Sequence, residues 1–196
     1  MYQNVMKRNA IKELYEWKEN NDRKPLVILG ARQVGKTWLM KEFGKEAYKK
    51  CAYVNFEDND DLRGMFEHDF DIQRIIANLQ WATDVTIDED TLVILDEIQE
   101  APRGITALKY FQEKAPQYHV IAAGSLLGIA MHKNDSFPVG KVDFMHLYPL
   151  SFYEFLNAIG EKKMVDLLQA KDWTMLTMVR AKFEERLRQY YFVGGM

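Results

Sequence analysis

Short apolar runs alternate along this chain with segments whose apolar residues recur at helical spacing. The runs predict strands, because they are short, rich in branched residues and bounded by polar or glycine-containing segments. They lie at 26–29, 52–56, 92–96, 119–123 and 142–147. The segments between them predict helices, as does a leading segment at about residues 5–20. Strands and helices in alternation are typical of a three-layer α/β sandwich with a parallel sheet covered on both faces.

A glycine-containing loop follows the first predicted strand and precedes a predicted helix. Its sequence, G-A-R-Q-V-G-K-T, fits the phosphate-binding loop pattern in the strand–loop–helix context that the pattern requires. The two glycines would let the loop curl, so that successive backbone N–H groups point at one anion, and the following helix adds its positive dipole end. We therefore expect the loop to bind ATP. The expected contacts are Gly30, Ala31, Arg32, Gln33, Val34, Gly35, Lys36 and Thr37.

The third predicted strand ends in two carboxylates, Asp96 and Glu97. Asp96 is expected to hold Mg²⁺ through water beside the hydroxyl of Thr37, while Lys36 reaches the β- and γ-phosphates. Glu97 is expected to orient and deprotonate the water that attacks the γ-phosphate, which makes Glu97 and Lys36 the predicted catalytic residues. Such a strand is common alone, but about 60 residues after a phosphate loop it supplies the second part of one site in the right order. Gln99 is a further candidate for a contact to the γ-phosphate or the water.

Other polar residues have two interpretations each. Ser125 ends the fourth predicted strand, where it could sense the γ-phosphate, cap the next helix, or do both. Arg8 could contact a nucleotide from the leading helix, but a solvated charge is the favoured interpretation. Arg103 could serve a neighbouring subunit's phosphate, and a surface arginine is favoured there too. The acidic run at 57–61 follows the second predicted strand and could lie near the ligand crevice, but a solvated turn and helix cap is the favoured interpretation.

Composition narrows the classes of function. The 196 residues carry a formal net charge of −3, so the whole chain lacks the basic character of nucleic-acid-binding proteins. The single cysteine, Cys51, cannot form an intramolecular disulfide and is interpreted as a buried, unreactive thiol. No segment approaches the length of a membrane span, and we expect a cytoplasmic protein. The arginine-rich lid of a small-molecule kinase and the Asn-Lys-x-Asp motif of a GTPase are both missing from the sequence.

With these motifs the chain resembles a family of AAA-type P-loop ATPases of bacteria and archaea, which are usually described only as ATP-binding proteins. The resemblance covers nearly the whole chain and rests on G-A-R-Q-V-G-K-T, on I-L-D-E-I-Q at 94–99, on A-A-G-S at 122–125 and on Y-P-L-S-F-Y-E-F at 148–155. It implies the strand order 5-1-4-3-2. It also implies an ATPase core over residues 1–150, followed over 151–196 by a helical extension that begins a C-terminal region of unknown function.

The resemblance carries two further expectations. The glycine pair after the apolar run near the end predicts a chain cut short within that C-terminal region, which in the family is partly winged-helix and partly nuclease-like. Family members tend to have Gly-Arg where this chain has Gly140-Lys141. A lysine keeps the charge but loses the forked contact to phosphate, so an arginine-finger role at that position is in doubt.

These observations lead to a predicted function and an alternative. The predicted function is Mg²⁺-dependent ATP hydrolysis by a switch or motor, slow in the isolated chain because no arginine finger is evident. The alternative is a nucleotide-dependent protein- or DNA-binding module with little hydrolysis. In either case the partner, a protein or DNA, would bind the missing C-terminal region. Because AAA-like cores can form rings, a homo-oligomer is a further hypothesis.

Overall fold

The computed structural model describes residues 8–124 and 140–194, and a parallel five-stranded sheet is its centre. The strands are β1 (Leu26–Leu29), β2 (Lys50–Asn55), β3 (Thr91–Asp96), β4 (His119–Gly124) and β5 (Asp143–His146). Their spatial order is β2-β3-β4-β1-β5, with every neighbouring pair parallel. Read from the other edge this is 5-1-4-3-2, and helices cover both faces. The predicted fold class is therefore confirmed.

The helices fill most of the intervals between the strands. They are α1 (Ile11–Glu19), α2 (Lys36–Ala47), α3 (Asp60–Arg63), α4 (Ile72–Thr83), α5 (Gly104–Lys114), α6 (Phe152–Ala158), α7 (Lys162–Ala170), α8 (Trp173–Met178) and α9 (Arg180–Val193). Short 3₁₀ turns lie at Gly64–Phe66 and Ile98–Glu100. No helix in the described ranges has the length and apolar character needed to cross a bilayer.

Burial explains why the third strand reads as an unbroken apolar run. All six residues of β3 are buried, as expected of a central parallel strand covered on both faces. Helix α4 packs its apolar face, with Ile75 and Leu79 fully buried, into the same core. Cys51, on the edge strand β2, is half-buried, and burial raises the pKa of its thiol to about 11. It is therefore protonated and weakly nucleophilic at neutral pH.

Aromatic side chains close the end of the sheet where β4 begins. The hydroxyl of Tyr48 lies 2.6 Å from Nδ1 of His119, and the Trp17 ring packs edge-on against the imidazole at 6.0 Å. Burial, helped by the positive charges of Arg23 and Lys18, lowers the pKa of His119 to about 4. The imidazole is therefore neutral at pH 7 and belongs to the packing of this end of the domain.

The chain divides into two compact units. One comprises the described residues of 12–147, with the whole sheet, and the other comprises those of 1–11 and 148–196. In the second unit Phe155, Leu156, Met164 and Val165 form a small apolar core between α6 and α7. The segment before α1 therefore belongs to the helical unit rather than to the sheet.

The side chain that joins this N-terminal segment to the helical unit is Arg8. It is 6% exposed, its Nε lies 3.3 Å from Oε1 of Glu154, and its Nη2 donates to the carbonyl of Tyr148. The prediction of a solvated charge at Arg8 is therefore wrong. Asn9 follows Arg8 in the chain, and its N–H donates to the same Oε1 of Glu154. Asn9 and Glu154 are 145 residues apart in the sequence. Local spacing cannot reveal a pair so distant in sequence.

Glu154 also forms a capping box at the start of α6. Its Oε2 accepts from the Ser151 N–H at 2.8 Å, and its own N–H donates to the Ser151 hydroxyl at 3.3 Å. Burial raises the pKa of this carboxyl, but hydrogen bonds from Ser151 and Asn9 and the charge of Arg8 outweigh that effect. The net pKa is below the ordinary value, so Glu154 is ionised at neutral pH.

Candidate functional site

The glycine loop between β1 and α2 curls differently from the sequence prediction. Gln33 and Gly35 adopt left-handed conformations, with φ of 66° and 89°. Gly30 does not need positive φ; it needs space, because a Cβ there would lie 2.5 Å from the carbonyl oxygen of Leu147. The first glycine thus permits close approach of the loop to the end of β5. The left-handed turn at Gln33 had no signal in the sequence, since glutamine does not favour this region.

Lys36, the first residue of α2, lies inside the loop. It is 6% exposed, and its Nζ donates to the carbonyl oxygens of Gly30 at 2.9 Å and Ala31 at 2.8 Å. Burial lowers the pKa of this ammonium, and the charges of Glu97 and Asp96 act in the opposite direction. These two carboxylates are therefore within electrostatic reach of Lys36. The loop holds a positive charge at the N-terminus of a helix, where anions are favoured.

Asp96 brings together segments that are distant in sequence. It lies at the end of β3, is 2% exposed, and its Oδ2 accepts from the Thr37 hydroxyl at 2.6 Å. The Tyr53 hydroxyl, on the neighbouring strand β2, donates to the same oxygen at 3.2 Å. Oδ1 accepts from the backbone N–H of Glu97 at 3.1 Å. A single buried carboxylate is therefore shared by the loop helix, the edge strand and the turn after β3.

Tyr53 is the residue of this cluster that sequence reasoning missed. It pairs in register with Ile94, two residues before Asp96, which puts the phenol beside the carboxylate. Lys41, from α2, holds its Nζ 3.6 Å from the centre of the Tyr53 ring. Burial and the nearby Asp96 raise the pKa of the phenol, which therefore stays protonated and donates. Strand alternation alone gave no sign of this contact.

Glu97 begins the turn that follows β3. Its backbone is left-handed, with φ of 48°, an uncommon conformation for a residue with a side chain. Its carboxylate Oε2 accepts from Nε2 of Gln99 at 2.6 Å. Burial lowers the pKa of Lys36, and the charge of Glu97 partly opposes this effect. The Glu97 carboxylate therefore lies within electrostatic reach of the phosphate loop.

Three other cations singled out from the sequence, Arg32, Arg103 and Lys141, have partners outside this cluster. Arg32 forms an exposed ion pair with Glu57 at 3.6 Å. The Arg103 guanidinium stacks on the Phe70 ring at 4.3 Å, and Lys141 pairs with Glu113 at 3.0 Å. Ser125 lies outside the described residues, as does most of the loop that precedes Gly140.

The residues that are present fit a magnesium nucleotide. Within 8–124 and 140–194, no group of three or more histidine, cysteine, aspartate or glutamate side chains could hold a metal ion by itself. Mg²⁺ in nucleotide sites needs fewer protein ligands, because it keeps waters and takes oxygens from the phosphates. The hydroxyl of Thr37 and the carboxylate of Asp96, 2.6 Å apart, are hard oxygen donors of the required kind. The loop amides and the Lys36 ammonium supply the matching anion site.

Fold and site together define the class as a P-loop nucleotide-binding domain of the ATPase type, with strand β4 between the loop strand β1 and the carboxylate strand β3. The profile of a family described as AAA domain matches residues 22–156, more than half of the chain. The chain therefore belongs to the AAA domain family. This confirms the AAA-type P-loop ATPase family expected from the motifs.

One solved structure supports the same fold. The Walker-type ATPase PABY2304 of Pyrococcus abyssi is similar, with a TM-score of 0.53 and 15% identity over 94% of this chain and 76% of that one. The ORC2 protein of Aeropyrum pernix gives a TM-score of 0.49 and 18% identity over 80% of this chain and 50% of that one. At 15% identity the likeness to PABY2304 concerns the fold alone. None of the curated proteins matches the sequence.

Proposed function

We propose that this chain binds ATP with Mg²⁺ and hydrolyses it, as a molecular switch or motor. One observation carries the proposal. Lys36 and Thr37 from the loop, and Asp96 and Glu97 from the end of β3, converge on one edge of the sheet although about 60 residues separate the two segments. The carboxyl edge of a parallel sheet is where such folds bind ligands.

In this proposal the phosphate loop exchanges internal contacts for contacts to ATP. The Lys36 ammonium leaves the carbonyl oxygens of Gly30 and Ala31 and donates to the β- and γ-phosphate oxygens instead. Backbone N–H groups of the loop and the N-terminus of α2 hold the same phosphates. Thr37 and Asp96 would hold Mg²⁺, whose positive charge would offset the negative charge of the phosphates. Ser125 as a γ-phosphate sensor stays a prediction.

Glu97 is the proposed base. Its carboxylate accepts a hydrogen bond from a water molecule, aligns it with the γ-phosphorus and takes its proton. Because phosphoryl transfer needs little covalent chemistry from the protein, positioning and charge stabilisation supply most of the acceleration. The left-handed backbone of Glu97 supports this assignment, since strained conformations concentrate at functional sites.

Slow turnover is proposed for the isolated chain. Of the cations considered for a role at a phosphate, Arg103 stacks on Phe70 and Lys141 pairs with Glu113. An arginine finger supplied in trans raises the rate of related reactions by about 10³–10⁵-fold, so turnover without one should be slow. Four further points stay predictions from the sequence. They are a protein or DNA partner, a homo-oligomer, a cytoplasmic location, and the assignment of 151–196 to a longer C-terminal region.

Three proteins test the proposal: the wild type, Lys36→Ala and Glu97→Gln. We expect phosphate release from Mg²⁺·ATP by the wild type, and a loss of about 100-fold or more in both variants. Glu97→Gln should still bind a fluorescent ATP analogue, whereas Lys36→Ala should bind it poorly. Lys45→Ala, on the same helix but with a side chain 79% exposed, is the matched control and should behave as wild type.

Two results would contradict the proposal in different ways. If the wild type binds no nucleotide, the assignment of the site is wrong. If it binds ATP tightly but shows no turnover above Glu97→Gln, the chain is better described by the alternative, a nucleotide-dependent binding module.

A further inference from the structure

The contact that remains unexplained at this site is the one between Gln99 and Glu97. Gln99 lies in the 3₁₀ turn Ile98–Glu100, two residues after Glu97. Its Nε2 donates to Oε2 of Glu97 at 2.6 Å and lies 3.4 Å from Oε1 of Glu100. The first contact is short and charge-assisted, the stronger kind of hydrogen bond between side chains. The second is at the limit of hydrogen bonding.

The oxygen of the Gln99 side-chain amide lowers the stability of the fold. Its Oε1 is buried, and no hydrogen-bond partner for it exists among the residues that the structure describes. Turning the amide over would place this oxygen against the Glu97 carboxylate, so the carboxylate fixes the orientation. A buried acceptor without a partner destabilises a protein. Packing alone would be better served by an apolar residue of the same length.

Glu97 needs such a partner because of its place in the turn. A glutamate side chain has several rotatable bonds, and a free one would spread over many rotamers. The left-handed backbone of Glu97 sets the direction in which the side chain leaves β3, and the Gln99 amide then fixes its far end. Together they hold the carboxylate within electrostatic reach of Lys36.

We propose that Gln99 is a positioning residue for hydrolysis, whose amide holds the Glu97 carboxylate in the orientation that receives the proton of the attacking water; the proposal rests on the proposed ATPase function. In that step the water oxygen bonds to the γ-phosphorus and the bond from the γ-phosphorus to the β–γ bridging oxygen breaks. ADP leaves with the electron pair of that bond, and the water proton goes to Glu97. Gln99 keeps its hydrogen bond throughout and exchanges nothing.

The test replaces Gln99 by methionine, which has a similar length and no amide. We expect Gln99→Met to lower kcat for ATP by about 10- to 100-fold, because misoriented catalytic groups lose rate in this range. The KM and the dissociation constant for ATP should stay within about twofold of wild type, because Gln99 does not hold the nucleotide. Two controls should leave kcat unchanged: Glu100→Gln in the same turn, and Gln112→Met, where a glutamine with a buried, unpartnered oxygen lies on α5 instead.

Two double-mutant cycles separate positioning from a merely structural role. In the Glu97→Gln background, Gln99→Met should cause no further loss of turnover, because the carboxylate that it positions is already gone. In nucleotide-free protein, the urea midpoints of Gln99→Met, Glu97→Met and the double variant should be non-additive, since the two single changes remove one shared hydrogen bond. The second cycle needs neither ATP nor Mg²⁺.

Several outcomes would overturn the proposal. A Gln99→Met protein as fast as wild type, or faster, would show that the amide does not assist Glu97. Equal losses in ATP affinity and in kcat would make Gln99 a nucleotide contact. Additive effects in either cycle would remove the coupling to Glu97. If instead the wild type shows no turnover, the ATPase function itself fails, together with this role; intact wild-type turnover that is lost in Lys36→Ala and Glu97→Gln shows that only the role of Gln99 is in question.

Discussion

Replacing Gly30 by alanine should damage the site through a steric conflict whose size the structure gives. The new Cβ would lie 2.5 Å from the carbonyl oxygen of Leu147 and 3.2 Å from a methyl group of Val34, whereas ordinary contacts begin at 3.4 Å. The loop would have to retreat by about 0.9 Å from the backbone oxygen. Leu147 cannot easily yield, because its N–H donates to the carbonyl of Leu29 at 2.7 Å at the end of the β1–β5 pairing.

Two magnitudes follow from that displacement. Overpacking of this kind costs about 1–3 kcal/mol of stability, so the free energy of unfolding should fall by that amount. A misplacement of about 1 Å in groups that position a reactant can cost about 100-fold in rate. We therefore expect Gly30→Ala to lose about 100-fold in turnover and to bind ATP more weakly than wild type. Urea unfolding, titration with a fluorescent ATP analogue and phosphate release measure the three quantities.

Gly64→Ala is the matched control for this substitution. Gly64 has φ of −76°, and the nearest atom to a new Cβ is 4.0 Å away in the flexible side chain of Glu67. Its free energy of unfolding should stay within about 0.5 kcal/mol of wild type. Wild-type affinity and turnover in Gly30→Ala would refute the steric argument, as would equal losses of stability in the two variants.

Three further predictions concern contacts outside the loop. Glu154→Ala should lower the free energy of unfolding by about 3–5 kcal/mol, because it takes a carboxylate from the buried Arg8. Since the pKa of Glu154 lies below its unfolded value of 4.5, this stabilisation is present above that pH and is lost as pH falls through the lowered pKa. Urea unfolding of wild type and variant should therefore converge in acid, and a constant difference would contradict the argument. Tyr53→Phe removes a hydrogen bond to Asp96 worth about 0.5–1.5 kcal/mol. Calorimetry should show weaker binding of ATP with Mg²⁺ but not without it, and equal losses would exclude a role at the metal. The NMR titration of His119 should give a pKa of about 4, and a value near 6.5 would mean that the ring is solvated.

The sequence was sufficient to predict those parts of the site whose residues lie close together in the chain. The glycine loop is flanked by its strand and helix in the sequence. Strand β3 is recognisable because its four central residues, 92–95, are apolar, as expected where a strand is buried on both faces. Asp96 and Glu97 follow from the position at which that run stops. The strand order came from resemblance to a family, since chain order alone does not fix which parallel strands become neighbours.

The sequence did not predict the contacts between residues that are distant in the chain. The Tyr53 hydroxyl meets Asp96 only because β2 and β3 pair in one particular register. The sequence predicts a solvated charge at Arg8, because its buried partner Glu154 lies far along the chain. The sequence predicts that two glycines let the phosphate loop curl. In the structure Gln33 adopts one of the left-handed conformations, and Gly30 is required because a Cβ would clash with the carbonyl oxygen of Leu147. For Tyr53, Arg8 and Gly30, the contacting atom belongs to a segment distant in the sequence, so a local pattern does not indicate the contact.

The position of Asp96 limits what mutagenesis at this site can reveal. Its carboxylate accepts hydrogen bonds from Thr37, from Tyr53 and from the N–H of Glu97, so it joins three segments as well as offering oxygens to a metal ion. Because Asp96 is 2% exposed and accepts all three hydrogen bonds, removing it takes the acceptor from three donors at once. Loss of activity after such a change would not separate a metal ligand from a structural centre. Substitutions at the donors, which leave the carboxylate in place, are therefore the more informative test of whether this buried acid serves Mg²⁺.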